Sequence, residues 1–228
     1  MPVRILPTEH WREAYPGAMV GILAVHGLVN PELDDALQDR ARELQAQIRV
    51  RFEGFDRPQL VAIPTLQIYA RYYKRFGKTY HVQLQLESVL FKEKAIAGPS
   101  AIVQSMFMAE LKNQMLTAGH DLEAVQGDMA IDVALGTEGY TLLSGGEQTL
   151  KAGDMYIRDK SDILSSIIYG PDRRTRIRAE TRAAVFTVYA PPGIPQVELE
   201  THLSDLEANV RVFSPRVAIE TREILTAD

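Results

Sequence analysis

The 228-residue chain contains no cysteine. That excludes disulfides, thiolate zinc sites and thiol nucleophiles together. Long apolar runs are missing too. Nothing approaches the roughly 20 apolar residues that cross a bilayer, and Met1 to Trp11 lacks the apolar stretch behind a basic start that marks a signal peptide. A cytoplasmic location and no membrane partner are the expectations. Net positive charge is absent as well: 25 Lys and Arg stand against 30 Asp and Glu, a formal net charge of −5. Such a chain has no surface that grips nucleic acid everywhere, so no DNA partner is expected and any RNA contact has to come from a local basic patch. The 5 histidines are scattered; His10, His26, His81 and His202 show no metal-ligand spacing. There is no Gly-x-Ser-x-Gly elbow, Walker loop or two-histidine helix motif. No metal or other cofactor is expected.

What is present is an ordinary folding composition, 46% hydrophobic and 24% charged. A chain of this length buries roughly 70% of its unfolded surface and needs no staples. Ala18 to Val29, between Pro16-Gly17 and Asn30-Pro31, reads as a buried strand. Asn30 and Pro31 then suit a helix start, with Leu33, Leu37, Leu44 and Ile48 on one face and Asp34, Asp35, Asp39 and Glu43 on the other. After a break at Gly54 to Pro58, Pro64-Thr65 opens a second helix carrying Leu66, Tyr69, Tyr73 and Phe76, closed by Gly77. Further helical stretches run from about Val82 to Lys94 and from Ser100 to Leu116, the latter ending near Gly119.

After Gly127 the texture becomes β-like, with runs at Met129–Leu135, Tyr140–Leu143, Asp154–Ile157, Ile163–Tyr169 and Ala183–Tyr189 among many glycines. Pro195 to about Val210 is a final amphipathic helix, and the residues after Pro215 form a loose or docked tail. Helices first and strands second imply an α+β layered fold. The chain is expected to be one unit: a strand-and-helix addition over 1–65, a core over 66–190, and a helix and tail over 191–228.

From Tyr69 to Tyr189 an ordered series of short motifs stands out. It begins with Tyr72-Tyr73-Lys74-Arg75-Phe76-Gly77 and Leu86-Glu87-Ser88-Val89-Leu90. Ala118-Gly119-His120-Asp121-Leu122 and Val125-Gln126-Gly127-Asp128 follow. Next come Ile131-Asp132-Val133-Ala134 with Gly136 and Glu138, Leu143-Ser144-Gly145-Gly146-Glu147 with Leu150, and Asp154-Met155-Tyr156-Ile157 with Asp159. The series closes with Ile168-Tyr169-Gly170 and Asp172-Arg173-Arg174-Thr175, then Ile177 and Thr181. It resembles domains three and four of the phenylalanyl-tRNA synthetase beta subunit, the editing module, and its free-standing homologues, over a little more than half of the chain. The resemblance implies a β-sandwich with helices packed on one side. It also implies hydrolysis of the ester joining a wrong amino acid, typically tyrosine, to its tRNA. The partner is then an aminoacyl-tRNA acceptor end or a free amino acid. At this length a whole synthetase is excluded. The chain departs from the family's polar signature at Ser100, Gln104, Phe107, Ala118 and Arg174, so a non-catalytic module that binds tRNA or an amino acid stands as the alternative to a deacylase.

Hydrolysis of an activated ester needs a positioned water, donors for the developing oxyanion and a selective pocket, but not a nucleophile. His120 is the candidate catalytic residue, because imidazole both donates and accepts near neutral pH. Its structural reading is a loop residue capping the helix that ends at Gly119. The candidate substrate-binding residues are Ala118, Gly119, Glu147, Tyr169, Gly170, Arg173, Arg174 and Thr175. Gly170 allows backbone amides close to a ligand, or makes a plain turn. Arg173, Arg174, Arg176, Arg178 and Arg182 could hold phosphates or a carboxylate, or else form the solvated face of a strand in which Arg176, Ile177 and Arg178 alternate. Glu147 could take a substrate hydroxyl or amine, or lie exposed in a hairpin.

Overall fold

The computed structural model describes residues 3–228. The chain opens with β1 (Ile5–Pro7), α1 (Glu9–Ala14), β2 (Met19–His26) and α2 (Asp35–Arg51). Four more helices follow: α3 (Arg57–Val61), α4 (Pro64–Lys74), α5 (His81–Phe91) and α6 (Ala101–Asn113). A strand-rich stretch comes next, with β3 (Leu116–Asp121), β4 (Met129–Val133), β5 (Gly139–Thr141), β6 (Glu147–Thr149) and β7 (Met155–Arg158). It continues through β8 (Ile163–Ser166), β9 (Gly170–Pro171) and β10 (Ala183–Ala190), before α7 (Gln196–Phe213) and β11 (Ala218–Thr226). The fold is α+β, as expected. Strands lie at both ends of the chain rather than after the helices.

The central sheet is antiparallel in the order β11-β2-β10-β3. It draws β2 from the first expected segment, β3 and β10 from the second and β11 from the third, so the divisions at 65 and 190 do not separate layers. A second sheet runs β1-β4-β7-β8-β9, and β5-β6 forms a hairpin. All eight residues of β10 are buried, which requires cover on both faces. Alternation along the strands shows what supplies it. Gly21 is pressed against Leu199 and Leu203 of α7, and Gly119 against Met106 of α6, whereas the Tyr189 hydroxyl meets Ser165 of β8. The order is therefore helices, central sheet, second sheet.

Two segments expected to be irregular or helical are strands. Leu116 to Asp121 is the edge strand β3 rather than the end of α6. The break comes at Gln114, whose left-handed backbone (φ 56°) stops the helix. The tail after Pro215 is β11, paired along β2, with a bulge between Ile219 and Thr221; a bulge of this kind and charges such as Glu220, Arg222 and Glu223 guard a free edge. Asn30 does not start α2; Asp34 caps it through Leu37 N–H. Asn30 instead caps α6 from a distance, its Oδ1 accepting from Ile102 N–H at 3.1 Å while its Nδ2 donates to Arg178 O at 2.7 Å. Helix α4 is fastened by three buried tyrosines. Tyr69 donates to Tyr189 O, Tyr72 to Asp154 at 2.8 Å and Tyr73 to Ile167 O at 2.7 Å, so one helix face holds both sheets together.

Candidate functional site

A cavity of about 440 Å³ opens where the edge strand β3 meets α5, α6 and the turn at β9. Its apolar wall includes Val103, Met106, Phe107, Leu116 and Ile177. Small residues leave the space: Ala118 and Gly119 on β3, and Gly170, whose positive φ of 80° suits only glycine. A β-carbon on Gly119 would lie 2.6 Å from Met106 Sδ, so glycine lets β3 and α6 approach.

Among the described residues β3 has no strand on its outer side, so alternate peptide groups face this region. Thr117 N–H donates to Glu110 Oε1 at 2.8 Å and Asp121 N–H to Thr175 O at 2.7 Å, both away from β10. Gly119, midway between them, turns its N–H and C=O to the same edge, since backbone groups two residues apart point the same way. A backbone donor thus stands at the cavity wall.

The side chains there are few and specific. Glu110 is 2% exposed, and burial, opposed by the Thr117 N–H, pushes its carboxyl up to about 8. His81 and Gln85 are neighbours one turn apart on α5. Burial lowers His81 to about 4, so its ring is neutral at pH 7. Gln85 Oε1 is buried with no hydrogen-bond partner among the described residues. Arg176 lies at the exposed margin, its Nη1 bonded to Arg173 O at 3.0 Å. None of Glu110, Gln85 and His81 was among the sequence candidates. A lone carboxylate inside the apolar run Met106 to Leu111 of α6 is the signal that could have found the first.

His120 is elsewhere. It is fully buried on β3, facing β8, and does not line the cavity. Thr175 gives its hydroxyl proton to Asp172, so Thr175 Oγ1 accepts from His120 Nδ1 at 2.8 Å, and His120 Nε2 is left to accept from Ser165 Oγ at 3.2 Å. Burial, with the Arg174 charge adding to it, pushes this imidazole down to about 3. A ring with both nitrogens committed is a pin between β3, β8 and the 172–175 turn. His120 therefore lies on a strand rather than in a loop, away from the cavity.

Of the other candidates, Ala118, Gly119, Gly170 and Arg176 line the cavity and the rest do not. Thr175 belongs to the His120 pin. Arg174 is consumed by structure, donating to Ala124 O at 2.7 Å and Asp159 Oδ2 at 2.9 Å. Arg178 pairs with Asp121 at 3.3 Å. Arg173, Arg176 and Arg182 are exposed and make no salt bridge among the described residues. The arginine run is a loop, not an alternating strand. Tyr169 is half-buried, with Lys78 5.7 Å from its ring centre. Glu147 lies exposed on the β5–β6 hairpin and accepts from Thr141 Oγ1 at 2.7 Å.

Among the described residues no group of three or more His, Asp or Glu could hold a metal ion, and no helix is long and apolar enough to cross a membrane. No known family profile matches the chain, and no curated protein matches its sequence. Among solved structures, it is similar to an N-terminal fragment of the phenylalanyl-tRNA synthetase beta subunit from Pyrococcus horikoshii, at 14% identity and a TM-score of 0.48. That likeness covers 97% of this chain and 50% of the fragment, so the chain spans half the length of the protein it is compared with.

Proposed function

We propose that the chain is a tRNA-editing-type module that hydrolyses the ester of misacylated aminoacyl-tRNA at the cavity beside β3. The observation that carries this reading is the unpaired edge of β3 at an apolar cavity, which puts the Gly119 N–H where an ester carbonyl can lie. Gly119 and Gly170, singled out through the editing-module resemblance, line the same cavity, as does Ala118, where the chain departs from the family's polar signature. The exposed arginines Arg173 and Arg176 stand beside it, suited to phosphates of an acceptor end.

In this reading the amino-acid side chain fills the apolar space and water attacks the ester carbonyl carbon. The Gly119 N–H then stabilises the oxyanion, a kind of donor worth on the order of 10²–10³ in rate. The ribose oxygen leaves and takes a proton. His120 contributes by holding β3 against β8, not by proton transfer.

The test is deacylation of a panel of aminoacyl-tRNAs by the purified protein, with Ala118→Leu to fill the cavity and Arg176→Ala to remove a margin cation. Ester loss with at least one pair, abolished by Ala118→Leu, is expected. Arg176→Ala should weaken tRNA binding and reduce its salt slope by about one. No ester loss above buffer for any pair overturns the hydrolytic reading; retained, salt-sensitive tRNA binding in that case would make the chain a binding module.

A further inference from the structure

Ester hydrolysis at the β3 edge needs a group that takes a proton from the attacking water, and α6 places one at the same wall. Glu110 Oε1 accepts from Thr117 N–H at 2.8 Å, so its carboxyl sits against the free edge of β3. Its Oε2 makes no hydrogen bond among the described residues, and the residue lines the cavity. The Gly119 N–H leaves that edge two residues further on, about 6.6 Å along the strand from the Thr117 N–H. That separation has room for an ester carbonyl and one water. A carbonyl oxygen lies about 2.9 Å from its donor, and a water poised for attack lies about 3–3.5 Å from the carbonyl carbon, within reach of the carboxylate. Gln85 Oε1, buried with no partner among the described residues, is a further acceptor in the same lining. A held water needs roughly two to four such polar partners.

We propose that Glu110 is the general base of the ester hydrolysis, with the Gly119 N–H as the oxyanion donor on the other side of the reacting carbon. This deepens the hydrolytic reading above and rests on it. The carboxylate takes a proton from the water as the new carbon–oxygen bond forms. The carboxylic acid so made returns that proton to the ribose oxygen as the old carbon–oxygen bond breaks, so amino acid and tRNA leave without a co-reactant. Burial, opposed by the Thr117 N–H, pushes the carboxyl up to about 8, close to the working pH, where a general base is most effective. The other titratable groups around it are silent near neutrality. His81 on α5 and His202 on α7, the latter bonded to Thr117 Oγ1 at 2.7 Å, are both lowered to about 4 by burial. Tyr69, Tyr73, Tyr80 and Tyr189 are raised by burial, and Arg176 at the margin carries a fixed charge. A change of rate with pH in this range therefore points to Glu110.

The experiment is single-turnover deacylation by the full chain from pH 6 to 8.5, using the aminoacyl-tRNA of the panel that it cleaves fastest. Ester loss in buffer alone is subtracted at each pH. The wild-type rate is expected to rise with pH, close to tenfold per unit below 7, and to level off above about 8. Glu110→Gln should lose that rise and cut the plateau by about 100-fold or more, while its affinity for the aminoacyl-tRNA stays within about threefold of the wild type. A wild-type rate that is flat across the range, or a variant that keeps both the rise and the rate, overturns the proposal. The pH profile uses the unmodified protein, so it decides the matter even where the variant fails to fold. Ester loss by the wild type together with either of those results sinks this inference alone. No ester loss with any aminoacyl-tRNA sinks the hydrolytic reading and this inference with it.

Discussion

Replacing Glu110 by glutamine should make the unliganded protein more stable, and increasingly so as pH rises from 5 to 8. Burial pushes the folded-state carboxyl up to about 8, from an ordinary 4.5. Below pH 4.5 both folded and unfolded states carry a neutral carboxyl, and nothing is lost. Between 4.5 and 8 the unfolded chain ionises while the folded one keeps its proton, so folding weakens by about 1.4 kcal/mol per pH unit. Above 8 both states are ionised and the loss levels off. At pH 7 the wild type therefore gives up on the order of 3 kcal/mol, a large share of the 5–15 kcal/mol typical of a domain. Glutamine avoids this loss and still presents an oxygen to the Thr117 N–H. Urea unfolding of both proteins at half-unit steps from pH 5 to 8 measures the difference directly. Taking the difference cancels the histidines and Asp154, which titrate alike in both. Parallel stability curves, or a glutamine variant that is the less stable at pH 8, would refute the reasoning by showing that water reaches Glu110 freely.

His120→Ala removes both ends of the β3–β8 pin, takes one partner each from the Thr175 and Ser165 hydroxyls and leaves a buried void, so a loss of about 2–4 kcal/mol is expected in chemical unfolding. Gly98→Ala and Gly119→Ala should differ. A β-carbon at Gly98 meets backbone atoms of Gln104 at 2.6 and 2.8 Å, while at Gly119 it meets the flexible Met106 side chain. Melting curves should therefore show the first variant costing about 3 kcal/mol and the second nearer 1, as overpacking costs scale with how well the neighbour yields. Asn30→Ala strips α6 of its remote cap and should cost about 1–2 kcal/mol, with amide exchange at Ile102 accelerating before the rest of the helix responds.

The elements legible in the sequence were those whose periodicity is local. Helix α2 shows its apolar face through Leu37, Leu44 and Ile48, and β2 and β10 are apolar runs with only His26 and Thr187 as polar members. Strand β3 was hidden because it is an edge strand buried on both faces. Leu116-Thr117-Ala118-Gly119-His120-Asp121 has neither alternation nor a continuous apolar run, and Gly119 with His120 resembles a helix end. Strand β11 was hidden for the opposite reason, since Glu220, Arg222 and Glu223 along a free edge give it the texture of a tail. Asn30 is a cap, as its type and the following proline suggest, but it caps α6 rather than the helix next in sequence, because a cap's partner is set by tertiary contact, not by sequence distance.

The same distinction explains which site residues could be anticipated. Ala118, Gly119 and Gly170 matter for the volume they leave empty, and smallness is visible in sequence. Gln85, His81 and Glu110 matter for what they lack, a partner on one side, and that depends on how α5 and α6 pack beside β3. His120 looked catalytic because histidine is versatile in water. Buried between Thr175 and Ser165, it has lost both the exposure and the titration near neutrality that such chemistry requires. A polar side chain becomes a candidate for function when the fold leaves its bonding unfinished, and by that criterion Gln85 outranks His120.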